Sequence, residues 1–131
     1  MAQQRILVVE DDPGIRDSLA QLLTKAGYRV TQAANGSEAV RLWRESGGDL
    51  VILDLFMPEK DGIETIVELR AHSPGVLIIA MSGGGKDRKR IDLLKDAKLL
   101  GAVQTIEKPF NSEQMLALVA RVLGESASGE R

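Results

Sequence analysis

The sequence contains no cysteine, which excludes disulfides and thiolate metal sites. It has no apolar run near the roughly 18–20 residues that cross a bilayer. Its start, MAQQR, lacks the apolar core of a secretory signal. These absences lead us to expect a cytoplasmic protein with no membrane partner. There is also no large excess of charge: the formal net charge is −2, so direct binding to nucleic acid has no electrostatic basis. Histidine occurs once, at His72, late in a helical stretch, and reads as a surface residue rather than a catalytic one. At 131 residues the chain suits one domain. No separate DNA-binding or catalytic output domain is expected.

Within those limits the chain is 44% hydrophobic, enough for a folded soluble domain. Short apolar β-rich runs occur at Ile6–Val9, Arg29–Thr31, Leu50–Leu53, Val76–Ile79 and Ala102–Ile106. Between them lie stretches with helical spacing. Ile15, Leu19, Leu22 and Leu23 make one apolar face. Ala39, Leu42 and Trp43 make a second, and Ile63, Ile66, Val67 and Arg70 a third. Ile91, Leu94 and Lys95 repeat the spacing less cleanly; Met115, Leu118, Val119 and Val122 close the series. Asp12 followed by Pro13 reads as an N-cap with proline at the first helical position. Asn35 with Glu38, and Asn111 with Gln114, read as capping boxes. Gly27 and Gly101 suit helix C-termini. Five strand–helix units with buried, near-continuous hydrophobic strands imply an α/β fold around a parallel sheet. The domain is expected over residues 5–123, and Gly124–Arg131 is expected to be a disordered tail.

Polar groups follow several of these strands. Glu10, Asp11 and Asp12 follow the first, Asp54 the third and Ser82 the fourth, while Lys108 and Pro109 follow the fifth. In an open parallel sheet these positions share the edge where ligands bind. Glu10, Asp11 and Asp54 bring carboxylates together there, and like charges so close repel. Lys108 supplies one compensating charge and a hard dication such as Mg²⁺ two more, since carboxylates and carbonyls suit that ion. Such a site can receive a phosphoryl group, and a carboxylate can be its nucleophile. Asp12 reads only as the helix cap.

The stretches ILVVEDDPGIR, LVILDLFMPEKDGIE, Ala80-Met81-Ser82-Gly83 and Lys108-Pro109-Phe110 resemble, in combination and order, the receiver domain of two-component response regulators. The resemblance runs from about Arg5 to Leu123. It implies a doubly wound, flavodoxin-like (βα)₅ fold with strand order 2-1-3-4-5. It implies that Asp54 is the phosphoacceptor, Asp11 a direct carboxylate ligand of Mg²⁺, and Glu10 a ligand acting through metal-bound water. Asp54 and the backbone carbonyl of Phe56 complete the metal set. Ser82 takes the switch-hydroxyl position and Lys108 the phosphoryl-contact position, with a cis bond between Lys108 and Pro109. The implied partners are a histidine kinase or histidine phosphotransfer protein, and an unidentified downstream protein. The output surface is the face of the fourth helix, fifth strand and last helix, with a phosphorylation-dependent homodimer as one outcome. An enzyme is not implied, beyond self-phosphorylation and autodephosphorylation.

The chain departs from that family at Thr105, where an aromatic switch residue is common, and in a somewhat longer interval from Ser82 to Lys108. That interval holds Gly83-Gly84-Gly85 and a basic run at residues 86–90. The run reads as a solvated loop, since cations at a helix N-terminus oppose its dipole; recognition of an acidic partner is the alternative. A nucleotide-binding loop fails because it needs glycine where Ala80 stands and Ser or Thr where Asp87 stands. An aspartyl phosphatase fails because its general acid would fall on Phe56, which transfers no proton. A phosphorylation-independent interaction module would not need the full set of acids, hydroxyl and lysine.

Overall fold

In the computed structural model, residues 3–56, 62–83, 101 and 104–129 are described. Five parallel strands form one sheet: β1 (Arg5–Val9), β2 (Arg29–Ala33), β3 (Leu50–Asp54), β4 (Ile78–Gly83) and β5 (Gln104–Lys108). Their order is β2-β1-β3-β4-β5, as the resemblance implies. Among the described residues the helices are α1 (Pro13–Lys25), α2 (Gly36–Ser46), α3 (Gly62–His72) and α4 (Ser112–Gly129). The helix expected around Ile91–Lys95 lies outside the described residues, as do Ala102 and Val103 of the fifth apolar run.

The helices cover both faces of the sheet because each buried strand carries apolar residues on both sides. β3 is buried throughout. Its Val51 and Leu53 pack with Ala39, Val40, Trp43, Ile66 and Leu69 of α2 and α3. Its Leu50 and Ile52 pack on the other face with Leu19, Leu23, Met115 and Val119 of α1 and α4. Truncating one such residue to alanine costs about 2–5 kcal/mol. β2 is one of the two edge strands, and only Ala33 of it is buried.

The caps fall where the sequence puts them. Asp12 Oδ1 accepts from the Ile15 N–H at 3.0 Å, with Pro13 opening α1. Asn35 Oδ1 accepts from the Glu38 N–H at 2.8 Å, while Glu38 reaches back to the Ala34 N–H at 3.3 Å. Asn111 and Gln114 bond reciprocally, at 2.8 and 2.9 Å. Gly27 follows α1 with φ +102°, a conformation that L side chains rarely adopt.

Three expectations need correction. The buried face of α3 is Gly62, Thr65, Ile66 and Leu69, and Val67 is 49% exposed. A stripe spaced by three and four residues can be drawn through either side of a helix this rich in apolar residues, and Leu69 decides it. Ile15 is also exposed, although Leu19 and Leu23 on the same helix are buried. α4 continues through Gly124 to Gly129 instead of giving way to an irregular tail; extending a formed helix avoids the cost of nucleating one.

Candidate functional site

The register sets which side chains meet. Val9 of β1 pairs with Leu53 of β3, and Asp54 pairs with Met81 of β4. Ser82 and Gly83 then pair with Glu107 and Lys108 of β5. Four strands therefore end at one level, and Glu10, Asp54, Ser82 and Lys108 arrive together at that edge. Glu10, Asp54 and Ser82 are almost fully buried.

Carboxylate oxygens of Glu10, Asp11 and Asp54 lie within 4.8 Å of one another. Lys108 spans two of them: its ammonium makes a short bond to Glu10 Oε1 and lies 3.4 Å from Asp54 Oδ2. Glu10 Oε2 accepts from the Asp12 N–H at 3.2 Å. Asp54 Oδ1 accepts from the Phe56 N–H at 3.2 Å, so each of the acid's two oxygens has its own partner. The Lys108–Pro109 peptide is cis.

The charges register this crowding. Local burial pushes the Asp11 carboxyl up, although the residue as a whole is exposed, and the adjacent Glu10 adds to the rise. Burial pushes the Lys108 ammonium down, but its bond to Glu10 and the charges of Asp54 and Glu10 outweigh that, leaving it above the ordinary lysine value. Three clustered carboxylates with one cation are short of positive charge. All the donors are oxygen, and such a set fits a hard cation.

The structure therefore brings Glu10, Asp11, Asp54 and Lys108 into contact range and buries Ser82 beside them on β4. Asp12 caps α1 instead. Phe56 leaves the strand edge 39% exposed. Gly84, Gly85 and the basic run at 86–90 lie outside the described residues. Thr105 pairs with Ala80 in the β4–β5 register and is half-buried.

Two contributors carry no signal in the sequence patterns. Gly62 donates its N–H to Leu55 O at 3.0 Å, and a Cβ there would lie 2.5 Å from Leu55 Cα and 2.8 Å from Asp54 O. Only glycine lets α3 start this close to the loop after Asp54. Arg16 donates from Nη1 to Glu10 O at 2.9 Å; its i+6 spacing from Glu10 is visible only once the loop between them is known.

Beside the acids, between α1 and the start of α4, lies an open groove of about 820 Å³ lined by Ile15, Leu19, Leu22, Pro109 and Phe110, with Lys108 at its rim. Among the described residues, no helix is long and apolar enough to cross a membrane.

Comparison with known proteins agrees with this geometry. Residues 6–120 match the model of the response regulator receiver domain. The chain is 33% identical over 123 residues to sporulation initiation phosphotransferase F of Bacillus subtilis, covering 94% of this chain and 96% of that protein. It is 36% identical over 120 residues to chemotaxis protein CheY of Thermotoga maritima, covering 91% and 97%. The structure of chemotaxis protein CheY4 of Vibrio cholerae superposes with a TM-score of 0.83 at 31% identity, covering 92% of this chain and 99% of that one. With the family model spanning most of the chain and the strand order and acidic edge in agreement, this protein belongs to the response regulator receiver domain family, the phosphoacceptor switches of two-component signalling.

Proposed function

We propose that Asp54 is the residue through which this switch is set. The observation that carries the reading is the clustering of Glu10, Asp11 and Asp54 with Lys108 at the carboxyl edge of the sheet. The donor is a phosphohistidine on a histidine kinase or a histidine phosphotransfer protein. A carboxylate oxygen of Asp54 attacks phosphorus, the P–N bond breaks, and its electron pair leaves on the imidazole nitrogen. The product is an acyl phosphate.

Each side chain has a part in that transfer. Glu10, Asp11, Asp54 and the Phe56 carbonyl would hold Mg²⁺, which when bound would supply positive charge to offset the carboxylates and the incoming phosphoryl oxygens. Lys108 sits beside the attacking carboxylate oxygen and is charged at neutral pH, so it contacts the phosphoryl group as it arrives. The Phe56 N–H on Oδ1 orients the carboxylate. The Ser82 hydroxyl, at the end of β4, donates to a phosphoryl oxygen once Asp54 is modified. The groove beside the acids receives the histidine-bearing partner, with exposed Ile15 as an apolar contact. The phosphorylated state is read by a downstream protein. The domain acts as a phosphoacceptor rather than a turnover enzyme, with self-phosphorylation from small acyl phosphates and autodephosphorylation as its own chemistry.

The test is labelling by a small acyl-phosphate donor, with and without Mg²⁺, followed by intact mass. Wild type should gain one phosphoryl group only with Mg²⁺. Asp54→Asn keeps the shape and removes the nucleophile, so it should gain none. Equal labelling of the two chains would refute the assignment.

A further inference from the structure

We infer that Arg16 is a positioning residue for the acidic pair, holding in place the peptide that joins Glu10 to Asp11. The inference rests on reading Glu10, Asp11 and Asp54 as a Mg²⁺-dependent phosphoacceptor site.

Arg16 lies in the first turns of α1, half-buried. Its N–H donates to Asp12 O at 2.9 Å, an early bond of that helix. Its guanidinium turns back past the cap and donates from Nη1 to Glu10 O, also at 2.9 Å. A bond from a charged donor is stronger than a neutral one.

The carbonyl it grips shares one rigid plane with the Asp11 N–H. Glu10 has other anchors: its N–H donates to Ala33 O at 3.1 Å, Oε1 meets Lys108, and Oε2 accepts from Asp12. Asp11 is exposed, so packing does not fix it. The tilt of the Glu10–Asp11 plane decides where its carboxylate falls. Mg²⁺ demands near-ideal octahedral geometry, so a ligand whose supporting peptide can rock loses affinity.

The charge of Arg16 and its grip act on Mg²⁺ in opposite directions. A positive group beside a dication site repels the dication, so removing that charge by itself tightens Mg²⁺ binding. Releasing the peptide weakens it. The sign of the change therefore identifies which effect rules.

The experiment is calorimetric titration of the full chain with MgCl₂ for wild type, Arg16→Gln and Arg16→Lys, with thermal melts of each metal-free chain. Labelling by a small acyl-phosphate donor is followed in parallel across Mg²⁺ concentration. Arg16→Gln should stay folded and bind Mg²⁺ about tenfold more weakly, the usual scale for residues that orient metal ligands. Arg16→Lys, which can donate towards the same carbonyl, should fall between it and wild type. At saturating Mg²⁺ the labelling rate of Arg16→Gln should return to within about twofold of wild type, placing the defect in metal binding and not in the transfer step. Equal or tighter Mg²⁺ binding by Arg16→Gln would overturn the inference. So would a labelling defect that saturating Mg²⁺ leaves in place, or weakened binding accompanied by loss of helix α1. A wild-type chain that binds no Mg²⁺ would sink the reading of the site itself, a result separate from all of these.

Discussion

Lys108 Nζ lies 3.4 Å from Asp54 Oδ2, held there by its short bond to Glu10. The lysine thus reaches across the sheet edge from β5 to acids that follow β1 and end β3. Two acids share one cation, and the cation rests against the oxygen that the proposed chemistry modifies.

Lys108→Met should therefore destabilise the metal-free chain by about 2 kcal/mol. Breaking a buried pair costs about 3–5 kcal/mol, and the partly exposed lysine side chain reduces that figure. The pH dependence follows from the sign of the shift. The ammonium is above its ordinary value in the folded chain, despite burial, because of Glu10 and Asp54. Its stabilisation is then fully present below the unfolded lysine value, near 10.4, and is lost as pH rises through the higher folded value. Chemical melts from neutral to strongly alkaline pH should show the loss in wild type and not in Lys108→Met.

Asp11 and Asp12 should separate cleanly, although they are neighbours. Burial and the neighbouring Glu10 raise the Asp11 carboxyl, so folding of the metal-free chain favours its protonated form more than the unfolded chain does. Stability of that chain should fall as pH rises through the window between the ordinary aspartate value and the raised one. Asp11→Asn should remove this slope and weaken Mg²⁺ binding. Asp12→Ala should cost about 1 kcal/mol through the lost cap, and Asp12→Asn should leave Mg²⁺ affinity close to wild type. Equal loss of metal binding in Asp11→Asn and Asp12→Asn would contradict this division.

What the sequence disclosed and what it hid divide along physical lines. The parallel sheet and the acidic edge were legible because burial on both sheet faces forces continuous apolar runs, and because residues following parallel strands must share an edge; the strand order followed only from the family resemblance. Asp12 was legible as a cap from the proline beside it. The α3 face was misread because Val67 and Leu69 fit helical spacing equally well, and only packing against β3 distinguishes them. Ile15 fits the apolar spacing of α1, yet it is exposed because it borders the open groove. Gly62 and Arg16 were hidden for a different reason: one acts by having no side chain and the other through a backbone carbonyl, and neither leaves a pattern.

Gly62→Ala tests the first of these. Its Cβ would come within 2.5 Å of Leu55 Cα, a backbone atom that cannot swing aside. The loop after Asp54 must shift, at a cost of about 1–3 kcal/mol. The expected result is a lower melting temperature together with slower labelling of Asp54 at saturating Mg²⁺. An unchanged labelling rate would show that α3 can retreat without moving the acid.

Ile15→Glu tests the groove. Ile15 is 38% exposed beside Phe110 and Pro109, so the substitution should leave stability within about 0.5 kcal/mol. Phosphotransfer from a histidine-bearing protein should fall at least tenfold, since a charge placed in an apolar contact costs over 1.4 kcal/mol. Labelling by a small acyl phosphate should be unchanged, because that donor needs no docking surface. Parallel loss with both donors would place the effect in the site and not in the groove.

Phe56 is expected to set the lifetime of the phosphorylated state. Hydrolysis of an acyl phosphate needs water aligned behind phosphorus, opposite the bond to Asp54. Phe56 stands two residues after the acid, tied to it through its N–H on Oδ1, with its side chain partly exposed. A phenyl ring offers no atom to orient water and shields the approach. Phosphorylated wild type should therefore lose its phosphoryl group slowly at neutral pH with Mg²⁺. Phe56→Asn supplies an amide that can hold water in line and should speed the loss roughly tenfold or more, a modest share of what positioned proton-transfer groups provide. Phe56→Leu separates shielding from chemistry: it is apolar like the native residue but smaller, so its rate should stay near wild type if the lack of a water-orienting group dominates, and rise towards that of Asn if bulk dominates. Release of labelled phosphate, followed over time for the three chains, decides the matter. Wild-type loss as fast as that of Phe56→Asn would show that water reaches phosphorus by a route Phe56 does not guard.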